Sequence, residues 1–219
     1  EIYTLSLHDA LPILVDNIVR VHDYGEHEGA PYLVMDYLEG ATLKEVKKPL
    51  RVETAVRLLR PIAEALNYVH EQGLLHRDVK PSNIMITGNQ EVILTDFGIV
   101  KWLEDPDDRN TLTATGVGIG TPEYMAPEQG LGKPVDARSD AYALTVVFYE
   151  LITGEKPYRG KTPVEVLMKQ ASEPIPDPRE LVPELSESVK RFLDRAMAKK
   201  PEDRSEEHTS ELQSLVDIS

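Results

Sequence analysis

The sequence contains no cysteine in its 219 residues. That excludes disulfides, thiolate nucleophiles and cysteine-bound metals. Bases are scarce beside acids: 24 Lys and Arg stand against 38 Asp and Glu, a formal net charge of −14. Phosphates are met by Lys and Arg, so a chain of this balance is a poor generic binder and no nucleic acid is expected as a partner. Long apolar runs are also missing. None approaches the roughly 20 residues a membrane helix needs, and no charged start leads into an apolar signal core. No membrane contact is therefore expected from this segment. What remains is an ordinary hydrophobic share of 41%, which argues against global disorder. The length suits one large domain or two small ones, enough to bury a sizeable core. These counts describe a soluble intracellular, cytoplasmic protein.

The patterning along the chain is mixed. Residues 18–24 are β-rich, residues 32–37 answer them, and Gly25 and Gly29 bracket the polar connection of a hairpin. Gly40 then frees the chain to turn. From Thr54 to His70, Val56, Leu59, Ala63, Leu66 and Val69 fall on one helical face. Gly73 suits the stop, and Pro61 predicts a kink. Residues 84–86 and 92–94 are short strands around Gly88 and Asn89. Residues 104–120 show no periodicity and read as a long loop, a feature that in compact domains is usually functional or disordered. Asp140 to Thr153 is apolar on nearly every side, the mark of a central buried helix, and Gly154 ends it. Thr162, Pro163 and Glu165 open another helix with a capping box and Pro at its first position. Ser186 to Lys199 predicts a further amphipathic helix through Val189, Phe192, Leu193 and Met197. There is no internal repeat. A small β start followed by mostly helix is an α+β layout.

Three motifs follow in order: His76-Arg-Asp-Val-Lys-Pro-Ser-Asn83 between a helix and a strand, Asp96-Phe-Gly98 after a strand, and Ala126-Pro-Glu128. Each alone is weak; together, with a long polar loop between the last two, they are specific. Over about residues 14–204 the chain resembles the protein kinase family, in its Ser/Thr branch. It looks closest to bacterial receptor-type kinases, through stretches such as 32–35, 120–129 and 138–140. The resemblance implies a protein-kinase-like fold: a small-lobe remnant over about 14–40 (hairpin and hinge) and a mostly helical large lobe over about 41–204.

Phosphoryl transfer is mainly positioning plus charge neutralisation. The triphosphate of ATP brings Mg²⁺, with Mn²⁺ as a substitute, and Mg²⁺ prefers hard oxygen ligands. Asn83 and Asp96 supply such oxygens. The attacking hydroxyl must be oriented and lose its proton, and the Asp78 carboxylate fits that task. Lys80 brings a compact positive charge to the moving phosphoryl group. In the family pattern Asp78 is the base, Lys80 a γ-phosphate ligand, and Asn83 and Asp96 the metal ligands. Lys80 and Thr121, a residue held near the substrate hydroxyl, mark Ser/Thr rather than Tyr specificity. His76 reads as structural, and Asp140 as a cap for backbone N–H groups that in the family steadies the catalytic loop. Met35 matches the position guarding the nucleotide pocket, Asp36 to Leu38 the hinge that meets adenine through its backbone, and Met85 the apolar floor.

Arg77 can clamp a phosphate bidentately. Phosphorylation at Thr113 or Thr115, in a loop that also carries Thr111, would order that loop against it. The resemblance implies protein substrates with Ser or Thr, and in the parent autophosphorylation and a kinase–kinase dimer. It also implies a pairing of Glu128 with Arg204.

The family's Gly-rich loop, its ATP-clamping Lys and the Glu partner of that Lys belong before Ile18; residues 1–17 contain neither glycine nor lysine. Read back as codons, residues 1–13 and 204–214 resemble the two adapters of a short-read sequencing library. Residues 1–13 and 205–219 are therefore expected to be foreign. Arg204 is native, or the adapter's first codon, or both. The end stretches hold six acids and no bases, so residues 14–204 carry 24 bases against 32 acids, a net −8. The expectation is a truncated Ser/Thr kinase catalytic domain, impaired on its own, from a parent anchored to a membrane through a segment outside these residues. The alternative is a pseudokinase-like binding module. A small-molecule phosphotransferase of related fold is disfavoured by residues 120–128.

Overall fold

A computed structural model describes residues 16–28, 30–96 and 121–204. Strands β1 (Val21–His27) and β2 (Ala30–Met35) form the antiparallel hairpin, with Val21 opposite Met35 and His27 opposite Ala30. Gly25 lies inside β1 opposite Tyr32, not in the connection. A Cβ there would come within 2.5 Å of the Tyr32 hydroxyl, so the glycine makes room for a ring crossing the strand. The left-handed turn residue is Glu28, with φ 52°.

The β-rich residues before Val21 belong elsewhere. Asn17, with φ 77°, turns the chain beside the second sheet. Leu94 N–H donates to the Asn17 carbonyl (2.8 Å), Val19 N–H donates to the Leu94 carbonyl (2.9 Å), and Ile18 forms a parallel bridge with Leu94. That sheet is antiparallel and ordered β3 (Gly40–Thr42), β4 (Ile84–Thr87), β5 (Val92–Leu94). Gly40 is not a free turn: it pairs with Thr87, and a Cβ would sit 2.1 Å from the Ile86 carbonyl oxygen. Between β4 and β5 the left-handed position falls on Gln90, φ 66°.

Helix α1 (Val52–Glu71) buries Val56, Leu59, Ala63, Leu66 and Val69 as its spacing requires, and continues through Pro61. Gly73, φ 74°, ends it, its N–H donating to the His70 carbonyl. The short α2 (Pro127–Gly130) precedes α3 (Ala137–Thr153). All of residues 139–149 in α3 are buried, which fits its all-round apolar sequence. Asp136 caps α3 by accepting from Arg138 N–H, and Gly154 closes it at φ 79°. Helices α1 and α3 pack together as the heart of the core. In α4 (Pro163–Ser172) the Thr162 hydroxyl accepts from Glu165 N–H (3.2 Å), while the Glu165 carboxylate reaches one residue further back, to Lys161 N–H (2.7 Å). Helix α5 (Glu187–Ala196), capped by Ser186, buries Val189 and Leu193 and sets Phe192 edge-on to Phe148, centroids 5.6 Å apart. The helical mass thus carries a small sheet whose β4 end opens onto the loop from α1.

Candidate active site

The loop from α1 to β4 is fastened from beneath by His76, fully buried. Asp78 N–H donates to its Nδ1 (3.2 Å), so that nitrogen is unprotonated and Nε2–H donates to the Thr95 carbonyl (3.0 Å). The ring is therefore neutral. Burial holds its pKa below the ordinary 6.5, against the pull of the Asp140, Asp78 and Asp96 carboxylates and the Thr95 carbonyl. One imidazole thus joins Asp78 to the end of β5, from which Asp96 follows.

A second clamp comes from α3. Asp140, almost fully buried, accepts from His76 N–H (2.8 Å) and His70 Nε2 (2.9 Å) on one oxygen and from Arg77 N–H (2.8 Å) on the other. The N–H groups it caps are thus those of the loop; its own helix is capped by Asp136. Burial by itself would raise its pKa, but the hydrogen bonds from His70 and from the His76 N–H prevail and hold it below 3.8. The clamp supports an unusual backbone, since Arg77 has φ 64° and Asp96 φ 55°. Left-handed geometry at a residue with a side chain costs about 1–2 kcal/mol and persists only where the surroundings enforce it.

Above these clamps lie Asp78, Lys80 and Asn83. Lys80 Nζ donates to Asp78 Oδ2 (2.6 Å), as does Asn83 Nδ2 (3.1 Å), which also bonds the Asp78 carbonyl (3.0 Å). Asp78 Oδ1 takes no hydrogen bond among the described residues. The short turn Pro81–Asn83 delivers Asn83, and Thr95 fixes its backbone through two bonds to the Asn83 carbonyl (2.8 and 3.2 Å). With its amide nitrogen directed at Asp78, Asn83 presents Oδ1, bonded only to Ser82 Oγ among the described residues. No group of three His, Asp or Glu forms a metal cage among the described residues. An amide oxygen and the exposed Asp96 carboxylate instead fit Mg²⁺, which takes its remaining oxygens from phosphate and water.

The other expected residues are spread around this core. Met35 ends β2, half-buried. Asp36 donates its N–H to the Arg20 carbonyl (3.0 Å) and turns its carboxylate to His22, so that N–H is already engaged. Leu38 is half-buried, as is Met85 in β4, on the opposite face from Ile84. Thr121 starts the turn Pro122–Tyr124. Thr111, Thr113 and Thr115 lie outside the described residues, as do Phe97 and Gly98.

Glu128 and Arg204 meet as a buried bidentate pair, Nη1 to Oε1 at 2.7 Å and Nη2 to Oε2 at 2.9 Å. Ser139 Oγ donates to the same Oε1 (2.7 Å). Sequence reasoning missed His70, Thr95, Ser139 and Gln129. Gln129 accepts from Ala126 N–H (3.1 Å) and donates to the Arg77 carbonyl (3.3 Å). Its place directly after Ala-Pro-Glu was the one available signal.

A carboxylate steadied by Lys80 and Asn83 on a doubly clamped loop, on an α+β scaffold, can orient a hydroxyl as phosphoryl transfer requires. The model of the protein kinase domain matches residues 5–214, and the chain belongs to that family. It is 42% identical over 198 residues to the serine/threonine-protein kinase PknB of Mycolicibacterium smegmatis, covering 85% of this chain and 31% of that protein. It is 36% identical over 205 residues to a probable serine/threonine-protein kinase of Clostridium acetobutylicum, covering 92% and 31%. Among solved structures, a double mutant of the Mycobacterium tuberculosis PknI kinase domain superposes with a TM-score of 0.70 at 29% identity, covering 92% of this chain and 71% of that one. The chain thus spans under a third of the length of these curated relatives. Among the described residues no helix is long and apolar enough to cross a membrane.

Proposed function

We propose that the chain carries the catalytic loop and peptide-side half of a serine/threonine protein kinase, whose parent transfers the γ-phosphate of ATP to Ser or Thr hydroxyls of proteins, itself included. The observation that carries this is the division of labour on Asp78. Its Oδ2 is occupied by Lys80 and Asn83, and its Oδ1 is left to accept a substrate O–H. The hydroxyl oxygen, so oriented, attacks the γ-phosphorus in line. The bond to the leaving oxygen breaks and the proton passes to Asp78. Lys80 Nζ, already at the carboxylate, answers the charge on the moving phosphoryl group. Mg²⁺ or Mn²⁺ held by Asn83 and Asp96 would supply neutralisation of the triphosphate charge. Met35, Leu38 and Met85 would line the adenine side, and Thr121 would sit by the accepting hydroxyl.

The buried Arg77 Nε has no partner among the described residues, which supports its reading as an anion clamp for a phosphorylated Thr113 or Thr115 in the loop that also carries Thr111. We infer further that phosphoryl transfer by these 219 residues alone is impaired, since the family's Gly-rich loop and Lys–Glu clamp are not among them. Residues 1–13 and 205–219 would be foreign ends. The parent would work in the cytoplasm, anchored elsewhere in its sequence, and would dimerise kinase to kinase.

The test is phosphate transfer from labelled ATP to Ser/Thr peptides, run on this chain and on the full-length protein, each with Asp78→Asn as control. Transfer by the full-length protein that the substitution abolishes is expected. A full-length protein that binds Mg·ATP yet labels no protein, itself included, would leave the binding-module reading in its place.

A further inference from the structure

We infer that Gln129 is a positioning residue that couples the peptide-side segment to the catalytic loop; the inference rests on the kinase reading above. Arg77 holds its left-handed φ of 64° directly before Asp78. Both of its backbone polar groups are taken by side chains from distant elements. Asp140 of α3 accepts its N–H at 2.8 Å, and Gln129 of α2 donates to its carbonyl at 3.3 Å. Fixing both ends of a residue is what keeps it from relaxing to an ordinary φ, and relaxation here would swing Asp78 away from its orientation.

The same Gln129 side chain accepts from Ala126 N–H at 3.1 Å. Ala126 closes the segment that begins at Thr121, and that segment is braced by side chains from other elements. Gln170 donates to the Pro122 carbonyl (2.9 Å), Lys156 bonds Glu123 (2.9 Å), and the Tyr124 hydroxyl donates to Glu150 (2.5 Å). One amide, 52 residues along the chain from Arg77, therefore links the backbone beside the base to a braced segment. An amide is required for this. Glutamate would still accept from Ala126 but has no N–H for the Arg77 carbonyl, and leucine can do neither.

The test uses Gln129→Glu and Gln129→Leu. In the full-length kinase, Gln129→Glu should lower kcat about tenfold with the KM for ATP unchanged, because small misplacements of a reacting group act on turnover. Gln129→Leu should also raise the KM for peptide about threefold or more, since it frees the Ala126 end as well. A merely structural role would lower the melting temperature and the active fraction without this split. On the 219-residue chain itself, both variants should speed hydrogen exchange at the Arg77 and Asp78 amides. Wild-type kcat and peptide KM in both variants, or unchanged exchange at those two amides, would overturn the inference. If the wild-type full-length protein transfers no phosphate to protein, the kinase reading falls, and the exchange rates alone decide whether Gln129 couples the two segments.

Discussion

Arg204 faces Glu128 across 76 residues of sequence with all five of its guanidinium N–H groups engaged. Two go to the carboxylate, and the others to the carbonyls of Ala198 (2.7 Å), Arg138 (3.2 Å) and Lys199 (3.3 Å). The group also stacks over the Tyr142 ring at 4.8 Å. Whichever codon encodes it, position 204 lies in a pocket shaped for arginine and locks the start of α2 to the end of the helical mass.

Because the pair is buried, removing one partner leaves an unmatched charge. Arg204→Ala should cost about 3–5 kcal/mol in unfolding free energy, read by urea denaturation. Burial alone would raise the Glu128 pKa, but the bonds from Arg204 and Ser139 hold it below 4.5. A carboxylate with a depressed pKa stabilises the fold above its unfolded value, and that stability is lost as the pH falls through its folded value. The wild type should therefore lose stability below about pH 4.5 more steeply than Glu128→Gln. A cost under about 1 kcal/mol for Arg204→Ala would show the pocket to be surface-like.

His76 gives a separate pH window. Burial lowers its pKa below 6.5, so below pH 6.5 the unfolded chain binds a proton that the folded chain refuses. Stability is complete above that pH and declines as the pH falls towards the folded value. As the pH falls below 6.5 the wild type should lose more unfolding free energy than His76→Gln. Parallel pH profiles would mean the ring accepts a proton in place.

Helix positions were legible because burial imposes a 3.6-residue period on Val56, Leu59, Ala63 and Leu66, and because caps such as Thr162 and Ser186 act within three residues. Glycine was less readable. Gly25 and Gly40 carry the same letter as a turn but serve close approach between strands, and the pairing that makes them necessary is non-local. Asp140 was legible as a cap, yet its N–H partners stand 63 and 64 residues back along the chain. Gln129, His70 and Thr95 escaped for the same reason, their partners in the site being 52, 70 and 19 residues away or fixed through backbone carbonyls.

Tyr142 is fully buried, and its hydroxyl has no hydrogen-bond partner among the described residues. Burial drives its pKa far upward, so the phenol stays neutral. A buried hydroxyl without a partner carries a desolvation cost of about 1–3 kcal/mol and returns nothing. Tyr142→Phe keeps the ring under Arg204 and removes the burden, so the melting temperature should hold or rise. A loss above about 1 kcal/mol would reveal a bound water satisfying the hydroxyl.

Asp78→Asn separates chemistry from stability. The Asp78 backbone is held by His76 and Asn83 through its N–H and carbonyl, neither of which the substitution touches. An amide oxygen at the Oδ2 position still accepts from Lys80, so the fold should persist. What is lost is the carboxylate that orients the substrate hydroxyl and takes its proton, a contribution of about 10²–10⁴ in rate. In the full-length protein, kcat for a Ser/Thr peptide should fall by that factor, while Mg·ATP affinity and the melting temperature stay near wild type. A variant that keeps its kcat would remove Asp78 from the role of base, and a variant that loses Mg·ATP affinity instead would place it in nucleotide binding.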